Sequence, residues 1–121
     1  MAKILLIDDD TNIHKIVSLF LENAGHSVTC VSSGFSGLDY ATHNHVDLII
    51  LDLAMPVMDG VETFEKLRNA PRSKDVPIMI LSVHDVSDLD AGIFSNKCVN
   101  YANKPVDMHD LIPAGAKALL N

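Results

Sequence analysis

The feature that most constrains the fold is a run of four apolar residues, 48–51, that ends on a carboxylate at Asp52 and continues through Met55-Pro56 and Asp59-Gly60. An unbroken apolar run of this length is the pattern of a strand buried on both faces, as in a parallel sheet with helices above and below. Asp52 falls where such a strand ends, and the carboxyl ends of strands are where open α/β sheets collect ligands and chemistry. The stretch LIILDLAMPVMDG over residues 48–60 therefore predicts strand, acidic group, shaped loop and helix start.

The same pattern appears at the start of the chain, where KILLI over residues 3–7 closes on Asp8-Asp9-Asp10. From Asn12 the apolar positions Ile13, Ile16, Val17, Phe20, Leu21 and Ala24 recur at helical spacing, with Asp10 or Thr11 as N-cap and Gly25 as the stop. SVTCV over 27–31 reads as a second strand, and residues 34–43, with Leu38 and Ala41 inward, as a second helix. After Gly60, Val61, Phe64 and Leu67 mark one face of a helix ending near Asn69-Ala70-Pro71. PIMIL over 77–81 is the fourth strand, with Ser82 directly after it, and VNYAN over 99–103 is the fifth, closed by Lys104-Pro105.

Between them, residues 85–96 carry a partial stripe interrupted by Gly92, which predicts a marginal helix and the least stable element of the chain. A last helix is expected from about residue 107, bent at Pro113. Five strands alternating with five helical stretches predict an α/β fold: a doubly wound, flavodoxin-like five-stranded parallel sheet, strand order 2-1-3-4-5, with helices on both faces. That order brings Asp8, Asp9 and Asp52 to one rim, with Ser82 and Lys104 on the adjacent strand ends.

Composition narrows what this rim serves. At 121 residues the chain reads as one domain, 1–121. Its formal net charge of −7, from 16 acidic and 9 basic residues, argues against direct binding to nucleic acid or an anionic membrane. Cys30 and Cys98 lack metal-site spacing and read as buried thiols in a reducing compartment. The first residues resemble neither a signal peptide nor a membrane span, so a cytoplasmic location is expected. The six histidines show no repeated ligand spacing and read as surface residues, His84 alone being expected to overhang the rim.

Three converging carboxylates repel one another, by roughly 4 kcal/mol per pair at 4 Å and an effective dielectric of about 20. An all-oxygen donor set of this kind suits a hard divalent cation, and Mg²⁺ in particular takes one or two carboxylates together with phosphate oxygens. A carboxylate nucleophile, a metal, a Lys and a hydroxyl around one point form the set needed for phosphoryl transfer to an aspartate.

With ILLIDDD, LIILDLAMPVMDG, IMILS and YANKP in place, the whole chain resembles the receiver domain of bacterial two-component response regulators. The resemblance implies that Asp52 accepts a phosphoryl group from a sensor histidine kinase, a phosphotransfer protein or a small donor. It implies a Mg²⁺ site formed by Asp8, Asp9, Asp52 and the backbone carbonyl of Ala54. Ser82 and Lys104 would contact the phosphoryl group, and Tyr101 would turn inward as Ser82 moves, signalling to a downstream protein or effector domain. Such a domain catalyses only its own phosphorylation and dephosphorylation. Two departures stand out. Lys97-Cys98 replace the Gly-Ala pair that receivers often carry, and Val83 is bulkier than the usual residue after the hydroxyl, so it is expected to narrow access to Asp52.

Two other readings fit less of the sequence. A haloacid dehalogenase-like phosphatase also uses an aspartyl phosphate and Mg²⁺. Asp8 and Asp10 meet the first part of its motif, but Asn12 stands where Thr or Val is required. A non-phosphorylated receiver-like interaction module would not need the five pocket residues, all of which are present.

Overall fold

A computed structural model describes residues 2–52, 60–82 and 99–103, with 60, 61, 81, 82 and 99–103 described by their backbone path. In chain order the elements are β1 (Lys3–Ile7), α1 (Thr11–Asn23), β2 (Ser27–Val31), α2 (Gly34–His43), β3 (Leu48–Asp52), α3 (Gly60–Asn69), β4 (Ile78–Ser82) and β5 (Val99–Asn103). The strands form one parallel sheet in the order β2-β1-β3-β4-β5, the order expected from the sequence. The predicted helices over 85–96 and from 107 lie outside the described residues, as do Val83, His84, Cys98, His109 and Pro113.

The apolar runs are continuous because successive strand residues point to opposite faces and both faces are covered. Leu5, Ile7, Ile49, Leu51, Ile78 and Ile80 pack with Ala41 of α2 and with Phe64 and Leu67 of α3. Ile4, Leu6, Leu48, Ile50 and Met79 pack with Val17 and Leu21 of α1 on the other side.

Helix α1 starts at the Asp10 cap, whose carboxylate accepts the Asn12 N–H at 2.9 Å. It ends in a Schellman arrangement: His26 N–H donates to the Leu21 carbonyl and Gly25 N–H to that of Glu22, with Gly25 at φ 97°. The predicted inward stripe is narrower than expected. Ile16 is 51% exposed and Ala24 is exposed at the C-cap, because Val17 and Leu21 centre the buried face and Ile16 lies about 100° round the helix from Val17.

Helix α2 is capped by Ser33, whose hydroxyl accepts the Ser36 N–H at 3.1 Å. It sits close on β1 because position 37 has no side chain. A Cβ there would lie 2.7 Å from Ile7 Cγ1 and nearer still to Cδ1. Gly37→Ala gains about 1 kcal/mol of helix propensity but overpacks a buried β-branched side chain, which typically costs about 1–3 kcal/mol. The expected result is a net loss of stability in thermal melting. A variant that melts above the parent contradicts this packing.

The α3–β4 connection is held by Arg68. Its guanidinium lies 5.4 Å from the centroid of the Phe64 ring and donates through Nη1 to the carbonyls of Ser73, Lys74 and Val76. β4 itself is shifted one residue from the expected 77–81. Pro77 has no N–H and contributes only its carbonyl, which accepts from Ile49 N–H, whereas Ser82 pairs in register with Asn103 and so extends the strand.

Candidate metal and phosphoacceptor site

The sheet order reverses between β1 and β3, so the crevice of this fold opens at their carboxyl ends. In register Ile7 stands beside Leu51, which makes Asp8 and Asp52 the next residues on neighbouring strands. Asp9 follows in the β1–α1 connection. One carboxylate oxygen from each of Asp8, Asp9 and Asp52 lies within 4.8 Å of the others. Asp8 is fully buried, Asp52 is 2% exposed and Asp9 is exposed, so two charges are withdrawn from water and the third faces it.

Local bonds fix this rim. Asp8 N–H donates to the Val31 carbonyl at 3.1 Å, and Asp8 Oδ1 accepts the Asp10 N–H at 2.9 Å. The fit to a hard cation rests on the donor chemistry: three carboxylates, no soft ligand among them, and a separation that one ion can span. Mutual repulsion of the three charges gives the cluster a reason to take up a cation.

The other site residues predicted from the sequence are placed in part. Leu81 is the register partner of Asp52, so Ser82 stands one residue beyond it at the end of β4. Ser82 pairs with Asn103, the residue before Lys104, and Tyr101 pairs with Ile80. Ala54 and Lys104 lie outside the described residues.

Three readings from the sequence need correction. Cys30 is half-buried, not buried, because β2 is an edge strand, and burial pushes its thiol above its ordinary value. A thiol held protonated is a poor nucleophile and metal ligand. His26 is half-buried, with Nδ1 accepting the Ala2 N–H at 3.1 Å. His14 is also half-buried, its Nε2 lying 2.5 Å from the Asp8 carbonyl oxygen. Sequence reasoning missed this contact. The available signal was position: helical side chains lean toward the N-terminus, so a residue one turn into α1 reaches back over the β1–α1 connection. His43 and His45 are exposed as expected.

Comparison with known proteins identifies the family and the fold. The chain is 36% identical over 121 residues to the DNA-binding dual master transcriptional regulator RpaA of Synechocystis sp., covering 99% of this chain and 49% of RpaA. It spans between about a quarter and a half of the length of curated relatives that it matches. Among solved structures, chemotaxis protein CheY4 of Vibrio cholerae superposes with a TM-score of 0.90 at 29% identity, covering 98% of this chain and 99% of CheY4. The receiver domain of sensor histidine kinase PA1611 from Pseudomonas aeruginosa, solved with a magnesium ion coordinated in its active site cleft, shares the fold with a TM-score of 0.89 at 22% identity, with 99% and 98% covered. The family model described as response regulator receiver domain matches residues 4–115, and with the acidic rim of β1 and β3 in the place this fold reserves for chemistry, the chain belongs to the response regulator receiver domain family.

Proposed function

We propose that the chain is a phosphoacceptor domain of a two-component phosphorelay, with Asp52 as the residue phosphorylated. The observation that carries this reading is the clustering of Asp8, Asp9 and Asp52 within 4.8 Å at the switch point of the sheet, with Asp52 at the end of a fully buried strand. An oxygen of the Asp52 carboxylate attacks phosphorus, a P–O bond forms, and the bond to the donor breaks with its electron pair leaving on the donor imidazole or acetate. Asp8, Asp9, Asp52 and the Ala54 carbonyl would hold Mg²⁺, which supplies charge neutralisation for the incoming phosphoryl oxygens. Lys104 would pair with a phosphoryl oxygen, and the Ser82 hydroxyl would donate to another. Tyr101, on the strand beside β4, would follow Ser82 and change the surface offered to partners.

The upstream partner of this reading is a sensor histidine kinase or phosphotransfer protein. The downstream partner is a second protein or an effector domain, and RpaA, by its name, is a regulator that binds DNA. Beyond transferring phosphate to and from itself, the domain is given no enzymatic activity. Among the described residues no helix is long and apolar enough to cross a membrane.

The test is phosphoryl uptake from acetyl phosphate, read by intact mass. One addition is expected with Mg²⁺ and none with a chelator in excess. Equal uptake in both, or none in either, contradicts the proposal.

A further inference from the structure

We propose that His14 is a positioning residue for the acidic cluster, fixing the backbone of Asp8 so that its carboxylate and that of Asp9 meet a divalent cation together. The inference rests on the metal reading given above. Asp8 lies one residue beyond Ile7, the last residue of β1 in register with β3. There its carbonyl is met from the helix side by His14 Nε2 at 2.5 Å. A carbonyl oxygen only accepts, so this ring nitrogen carries the proton.

The bond closes a tight ring of interactions over residues 8–14. Asp10 N–H donates to Asp8 Oδ1, Asn12 N–H donates to Asp10 Oδ1, and His14 N–H donates to the Asp10 carbonyl at 3.2 Å. Farther along α1, the Ser18 hydroxyl donates to the His14 carbonyl. Asp9 is carried inside that ring with its side chain exposed. An imidazole has only two side-chain torsions, so the clip from helix to strand end is stiff. It fixes the spacing of Asp8 and Asp9 before any cation arrives. Loss of the donor leaves the strand end held by fewer bonds, and the cation then has to organise ligands that were previously in place.

The experiment measures Mg²⁺ affinity of the unphosphorylated full chain by titration calorimetry at fixed pH and ionic strength, with metal-free melting curves alongside. His14→Phe keeps a ring but removes the donor. His14→Gln places an amide N–H the same number of bonds from the backbone. Phe is expected to weaken Mg²⁺ binding about tenfold, and Gln to recover it to within about threefold. A purely structural role would lower both melting temperatures and leave both affinities alone. Binding by His14→Phe within about twofold of the parent, or Gln binding as weakly as Phe, overturns the inference while leaving the metal reading standing. A parent chain that binds no Mg²⁺ overturns both.

Discussion

Replacing Phe64 with Ala is expected to destabilise the fold by about 3–5 kcal/mol, the usual range for deleting a buried aromatic ring. Phe64 is 1% exposed and sits among Leu67 and the β-strand residues Ile49, Leu51, Ile78 and Ile80. Its ring also lies beneath the Arg68 guanidinium, which holds three carbonyls of the segment leading into β4. One substitution therefore opens a cavity and loosens the anchor of the strand that carries Ser82. Single domains are typically stable by about 5–15 kcal/mol, so a large share of the total is at stake. Thermal melting should fall by about 12–20 °C. A loss under about 1 kcal/mol would mean that the α2–α3 side of the core does not depend on this ring.

Mg²⁺ is expected to raise the stability of the chain by about 2.7 kcal/mol at a concentration of about 100 times its dissociation constant, by linkage. The reason is geometric: the three carboxylates are together in the folded chain and scattered in the unfolded one. Asp9→Asn replaces a charged ligand with a weaker neutral one and removes one repelling charge, so it should diminish the response to Mg²⁺ while raising metal-free stability. The rise is small, under about 1 kcal/mol, because Asp9 is exposed and water screens its repulsion. A metal-free melting temperature that falls on this substitution contradicts the repulsion argument. A metal response unchanged by it removes Asp9 from the ligand set.

β1, β3 and β4 were legible because each is an apolar run bounded by polar or turn residues, and such runs are unambiguous when they alternate with helical stripes. The strand order followed from that alternation, and with it the meeting of Asp52 with the Asp8-Asp9 pair, which lies far from it in the chain and which no local pattern joins to it. Boundaries were less legible where pairing, not hydrophobicity, decides them. Ser82 belongs to β4 because Asn103 stands beside it, a fact of β5 rather than of the residues around Ser82. Helix faces were legible in their centres and not at their margins. Val17 and Leu21 are buried as periodicity predicts, while Ile16 is left outside a contact only as wide as the sheet surface under α1. The role of His14 was hidden for a related reason. Its partner is a backbone carbonyl, which leaves no trace in sequence composition, so a lone histidine in a helix looked like a surface residue.

Asp52 is the proposed acceptor of the phosphoryl group. The most direct measurement compares the parent chain with Asp52→Asn after acetyl phosphate and Mg²⁺, reading intact mass and then locating the modification by peptide mass after borohydride reduction of the acyl phosphate. One addition to the parent, mapped to residue 52, is expected, and none to the variant, with circular dichroism confirming that the variant is folded. Phosphoryl uptake by folded Asp52→Asn at a rate comparable to the parent would contradict it.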